Sequence, residues 1–185
     1  IGAPSGQTTY GYALASGADI GGDGINDLLV GAIGASSSRG WVNVYNSADV
    51  YWEGPTSQRQ PSLIIEGRNG QLGGGDLRGD SLGAAVALGH VDHDGFADMV
   101  LGASRAGADD RGEILVYRGN GQGFGGAGPF NAAERQVIEG TAGILFGNPI
   151  AMAGDVDGDG VNEVAVAAPF GADGGSVRVL ANRYI

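Results

Sequence analysis

Asp155-Val156-Asp157-Gly158-Asp159-Gly160-Val161-Asn162-Glu163 sets carboxylates at positions 1, 3, 5 and 9 of one glycine-hinged loop. The same frame occurs upstream as Asp19-Ile20-Gly21-Gly22-Asp23-Gly24-Ile25-Asn26-Asp27 and as His90-Val91-Asp92-His93-Asp94-Gly95-Phe96-Ala97-Asp98, with copies 71 and 65 residues apart. Self-similarity on that scale marks a repeat architecture, one supersecondary unit used several times. The match extends to both flanks. An aromatic residue or leucine followed by glycine precedes each loop, in Tyr10-Gly11, Leu82-Gly83 and Phe146-Gly147. A small-residue exit follows, in Gly31-Ala32-Ile33, Gly102-Ala103-Ser104 and Ala167-Ala168-Pro169.

Around the loops the apolar period is two or continuous, which predicts strands and no helix. Leu28-Leu29-Val30, Met99-Val100-Leu101 and Val164-Ala165-Val166 leave the loops as short apolar strands. A third strand follows a glycine in Trp41 to Tyr45, Glu113 to Tyr117 and Ser176 to Leu180, with side chains expected to alternate between core and solvent. Leu63-Ile64-Ile65-Glu66 and Gln136-Val137-Ile138-Glu139 supply a fourth strand to the first two repeats. Four short antiparallel strands per unit describe a β-propeller blade, whereas the rungs of a β-solenoid are much shorter than these units. The expected fold is all-β: one segment, 1–185, of three blades at about 1–67, 68–140 and 141–185, the last incomplete. Closed propellers use four to eight blades. Three therefore predict a ring not closed by this chain, completed by missing blades of a longer chain or by other copies meeting edge to edge.

Four carboxylates within nine residues repel one another unless a cation neutralises them. Calcium suits the third loop, since it accepts six to eight oxygens in flexible geometry. The expected ligands are Asp155, Asp157, Asp159 and Glu163, with the backbone carbonyl of Val161 at position 7. By the same frame the second loop offers Asp92, Asp94, Asp98 and the Phe96 carbonyl. The first offers Asp19, Asp23, Asp27 and the Ile25 carbonyl. Position 7 is apolar in each copy, which suits a side chain entering the core while its carbonyl faces the ion. Glycine at position 6 (Gly24, Gly95, Gly160) allows the positive φ of a sharp loop. An EF-hand reading fails: Val166 stands at position 12 where a bidentate glutamate is needed, and the flanks are strands. Up to three calcium ions are expected, held most strongly at Asp155 to Glu163. Gly21 replaces a carboxylate in the first loop and His90, a poor calcium ligand, replaces one in the second. His93 reads as a solvated loop residue.

The chain of 185 residues carries 21 acidic and 10 basic residues, a formal charge of -11. Nucleic acid and anionic membrane surfaces need a basic partner, so both are excluded as targets. The 38 glycines punctuate repeats, and 42% hydrophobic residues with only 17% charged ones argue against disorder. There is no cysteine, hence no disulfide framework or thiolate chemistry, and no apolar run long enough to insert in a membrane. An enzyme is not expected. No Gly-x-Ser-x-Gly element appears, and Gly119-Asn120-Gly121-Gln122-Gly123 lacks the lysine of a phosphate loop.

Phe146-Gly147, the loop Asp155 to Glu163 and Ala167-Ala168-Pro169 together resemble the FG-GAP repeat. That repeat builds the N-terminal propeller of integrin α subunits and many bacterial extracellular proteins. The resemblance implies a propeller with calcium in its hairpin loops, an extracellular or cell-surface location, and adhesion or recognition of a protein or glycan ligand. Tyr10-Gly11 and Leu82-Gly83 depart from Phe-Gly, and their exits lack proline. Two other functions compete with recognition: a structural protein joining copies edge to edge into a multimer or filament, and a carbohydrate-binding propeller using Trp41, Tyr51 and Trp52. Arg78-Gly79-Asp80, a tripeptide that integrins recognise, is expected to be incidental in a chain so rich in glycine and aspartate.

Overall fold

A computed structural model describes residues 1–34, 39–46, 60–68, 79–107, 110–123, 135–141, 144–171 and 174–185. Strands β1 (Tyr10–Ser16), β2 (Leu28–Ala32), β3 (Trp41–Tyr45) and β4 (Leu63–Glu66) pair antiparallel in chain order. β5 (Leu82–Gly89), β6 (Asp98–Ala103), β7 (Glu113–Tyr117) and β8 (Gln136–Glu139) do the same. β9 (Ile150–Gly154), β10 (Glu163–Ala168) and β11 (Ser176–Leu180) make a third sheet of three strands. Among the described residues these are three propeller blades, two of four strands and one of three, and they do not close a ring. Each acidic loop is the hairpin between the first and second strands of its blade, so all three occupy one position in the repeat.

The cores lie between blades. Leu29, Val42 and Val44 of the first blade pack against Val86, Leu88, Met99, Leu101 and Leu115 of the second. Ala87, Val100, Ile114 and Val116, on the opposite face of the second blade, pack against Phe146, Val164 and Val166 of the third. The expected alternation of core and solvent along the third strands is therefore corrected for β7. All five of its residues are buried, because the middle sheet has a blade on either side and the alternation runs between two cores. The alternation fails in the other two third strands as well: Val42 to Tyr45 of β3 are all buried, and β11 exposes Ser176 to Val179 in a row, on both faces.

Register makes the blades comparable. Val42, Ile114 and Val177 pair with Gly31, Gly102 and Ala167, and Val44, Val116 and Val179 pair with Leu29, Val100 and Ala165. The first two sets are covered by the following blade. Val177 and Val179 are 65% and 56% exposed.

The flanking motifs form the seams. Leu82 N donates to Arg39 O at 2.9 Å, and Phe146 N donates to Arg111 O at 3.1 Å. A Cβ on Gly31 would stand 2.2 Å from Gly83 O, and one on Gly102 would stand 2.1 Å from Gly147 O. The glycine carbonyls of Leu82-Gly83 and Phe146-Gly147 thus rest directly on the exit of the preceding blade. That contact is possible only where the exit residue has no side chain.

A polar tie crosses the first seam. Arg68 Nε donates to Asp80 Oδ2 at 2.9 Å, and its Nη2 donates to Glu113 Oε2. Asp80 and Glu113 are both buried. Burial acts first to lower the Arg68 pKa, but the two carboxylates outweigh it and the net shift is upward. Arg78 lies outside the described residues. The aspartate of that tripeptide is held inside the seam by Arg68, which removes it from any ligand surface.

Candidate metal centre

In each loop the carboxylates bind the loop's own backbone amides, which closes the turn. Asp155 Oδ1 accepts from Gly158 N at 2.7 Å and its Oδ2 from Gly160 N at 3.1 Å. Asp19 repeats this with Gly22 N and Gly24 N, both at 2.6 Å. At position 5, Asp23, Asp94 and Asp159 accept from Ile25 N, Phe96 N and Val161 N at 2.8, 2.8 and 3.1 Å. Gly24, Gly95 and Gly160 take φ of +86°, +84° and +97°, the left-handed region the turn needs.

Position 9 is the buried base of each loop. Asp27 Oδ2 accepts from Ile20 N and Gly21 N at 2.8 and 2.9 Å. Asp98 Oδ2 takes Val91 N at 2.7 Å, and its Oδ1 takes Gly119 N at 2.9 Å. Glu163 Oε2 takes Val156 N and Asp157 N at 2.6 and 3.2 Å. Its Oε1 is buried with no hydrogen-bond partner, although the residue is only 2% exposed. A buried carboxylate oxygen without a partner costs on the order of 1–3 kcal/mol. A cation is the partner that fits.

Two loops bring their carboxylates together. Asp155, Asp157 and Asp159 place one oxygen each within 4.8 Å of one another, and so do Asp92, Asp94 and Asp98. Asp19, Asp23 and Asp27 do not form such a group among the described residues. A carboxylate has about four lone-pair sites, so an amide contact leaves capacity for a metal. Oxygen-only ligands of this density suit a hard cation. At the second loop burial pushes the Asp98 carboxyl up to about 6, the Asp92 and Asp94 charges adding to the rise while the Val91 and Gly119 amides oppose it.

Two expectations need correction, at position 7 and at His93. The position 7 side chain enters the core only at Val161, 4% exposed, whereas Ile25 and Phe96 are 50% and 43% exposed. Phe96 lies over backbone instead: a Cβ on Gly121 would meet its ring at 2.2 Å, and one on Gly119 would meet its Cβ at 3.1 Å. His90 turns toward its own loop. Its Nδ1 sits 2.8 Å from Phe96 O, the carbonyl expected to face an ion. His93 is no bystander either, because Nε2 lies 2.9 Å from Asp159 O of the third loop and Nδ1 lies 3.0 Å from Asn182 Nδ2. Sequence position alone could not show this, since Asp159 is 66 residues away.

Of the other expected ligand surfaces, little falls on the described residues. Tyr51 and Trp52 lie outside the described residues, and Trp41 is half-buried on β3 opposite Ala32 and Glu66. A cleft of about 110 Å³ lies beside Arg68 and Asp80. Pockets for small organic ligands run to about 300–1,000 Å³. No helix among the described residues is long and apolar enough to cross a membrane.

Comparison with known proteins agrees with the blade architecture. Residues 147–180 match the FG-GAP repeat. Human integrin alpha-IIb is 32% identical over 171 residues, covering 89% of this chain and 15% of that protein. Integrin alpha-4 of Xenopus laevis is 32% identical over 167 residues, covering 86% of this chain and 14% of the relative. Bovine phosphatidylinositol-glycan-specific phospholipase D is 30% identical over 171 residues, or 91% of this chain and 19% of that protein. The chain spans less than a fifth of each of these relatives.

Proposed function

Because the chain is an FG-GAP repeat protein with blades similar to those of integrin α subunits, we propose that it is a calcium-stabilised, non-catalytic propeller module for extracellular adhesion or recognition. The carrying observation is the convergence of Asp155, Asp157 and Asp159 in a loop whose base holds the unpartnered Glu163 Oε1. Calcium would be held by these four carboxylates and the Val161 carbonyl. Asp92, Asp94, Asp98 and the Phe96 carbonyl would form a second site, in which His90 competes for that carbonyl. Asp19, Asp23, Asp27 and the Ile25 carbonyl would form the weakest, since their carboxylates do not converge. The ion supplies charge neutralisation to loops that their own amides have already curled.

Sites typical of extracellular modules, with Kd of about 0.1–1 mM, each stabilise by about 0.4–1.4 kcal/mol at roughly 1 mM calcium. Two or three together contribute about 1–4 kcal/mol, or roughly 2–15 °C in Tm for a domain of this size. Excess chelator is expected to lower the melting temperature by that order, and Asp157→Ala to remove part of the calcium response. An unchanged melt would overturn the calcium reading. Immobilised protein is expected to retain cells in millimolar calcium and release them on chelation. Failure to retain cells under either condition would overturn adhesion.

A second reading, assembly with other copies or with further blades, draws on the exposure of Val177 and Val179. Their register partners in the other two blades are buried by a following sheet. Tyr12 and Leu14 are exposed on β1, at the other end of the stack. A face patterned for a blade attracts a blade. Light scattering in millimolar calcium should then show a mass above that of one chain, reduced to a monomer by Val177→Asp with Val179→Asp. A monodisperse monomer for the unaltered chain would rule out self-assembly.

A further inference from the structure

We infer that the second and third acidic loops bind cations cooperatively, with His93 as the residue that joins them. The inference rests on the calcium reading above. It comes from three hydrogen bonds that cross between the second and third blades and join the two acidic loops. Asn162 N donates to His90 O at 2.7 Å, and His90 N donates to Asn162 Oδ1 at 3.1 Å. His93 Nε2 meets Asp159 O at 2.9 Å. Asn182 Nδ2 donates to His93 Nδ1, so the imidazole proton is on Nε2 and His93 is the donor to Asp159.

His93 stands between Asp92 and Asp94, two carboxylates of the second cluster, while Asp159 belongs to the third. A cation gripped by the Asp159 carboxylate fixes that residue's peptide unit, whose carbonyl receives His93. The ordered His93 holds the backbone that carries Asp92 and Asp94. Asn162, between Val161 and Glu163, clamps the start of the second loop in the same way. Apart from their buried bases these loops are largely exposed, the kind of segment that opens locally at little cost. The first ion therefore orders bonds that both loops share, and the second ion binds to a loop already ordered. Coupling of this kind is reciprocal: each site strengthens the other by the same factor.

The test is a calcium titration of the isotopically labelled chain, following the Phe96 amide for the second loop and the Val161 amide for the third. Asp157→Ala is expected to weaken calcium at the second loop about fivefold, toward the lower end of usual coupling. Asp94→Ala should weaken the third loop by the same factor, a check that does not depend on how one variant folds. In a His93→Ala background both loops should still bind, and the fivefold effects should shrink below twofold. His93→Gln, which retains a donor, should restore them. Binding at both loops with no change on removing the other overturns the coupling and leaves the calcium reading intact. Full coupling in His93→Ala overturns the role of His93. Absence of binding at either loop in the unaltered chain overturns the calcium reading itself.

Discussion

Gly83→Ala is expected to lower stability by about 3–5 kcal/mol, while the same substitution at Gly11 should cost about 1–2 kcal/mol. The two glycines occupy the same place in successive blades and have nearly the same backbone, with φ of +84° and +85°. Their surroundings differ. A Cβ on Gly83 would meet Trp41 O at 2.4 Å and Gly31 Cα at 3.1 Å, whereas nothing lies within 4 Å of one on Gly11. Both variants suffer the strain of a left-handed L-residue. Only Gly83→Ala must also push two backbones apart, and a seam of paired strands cannot yield locally. Against a typical domain stability of about 5–15 kcal/mol, that difference separates a folded variant from one near its threshold. Urea midpoints in millimolar calcium would read it. Equal losses at the two positions would show that close approach contributes nothing to the seam.

Phe146→Ala should be as damaging, at about 3–5 kcal/mol. The ring is wholly buried between the second and third blades beside Ile114, Val116, Val164 and Val166. Arg178 places its guanidinium 5.0 Å from the ring centroid, an arrangement worth about 0.5–1 kcal/mol at exposed sites. Tyr10 holds the equivalent position in the first blade but is only half-buried, its hydroxyl 2.7 Å from that of Tyr45. Tyr10→Ala should therefore cost less, about 1–2 kcal/mol. The comparison is made by denaturant melts, with loss of the third blade's amide protection as the local signature. A cost below about 1.5 kcal/mol at Phe146 would mean that polar contacts, and not this ring, hold the third blade.

Much of this architecture is legible in the chain because its causes are local. Period-two apolar runs specify strands wherever a sheet can form, and Asp-x-Asp-x-Asp-Gly curls on its own amides, as the bonds from Asp155 to Gly158 and Gly160 show. The repeat spacing then determines that three such loops sit at one place in three blades. The carboxylate gradation is also local: the third loop gathers its aspartates, while the first, with Gly21 at position 3, does not.

What the tertiary structure decided depends on the neighbour across a seam, which no local pattern encodes. Val161 is buried while Ile25 and Phe96, its counterparts, are exposed, because the third loop packs against the second and Phe96 lies over the Gly119 to Gly121 backbone. His93 becomes a bridge because Asp159 and Asn182 arrive from another blade. Asp80, the last residue of a tripeptide that the sequence reading takes as incidental, is held in the seam by an ion pair with the half-exposed Arg68, a partner that spacing does not reveal. Residue type and spacing determined the strands, the loops and their charge. Burial and partnership were decided by which blade lies opposite, since desolvation and hydrogen bonding act through space and not along the chain.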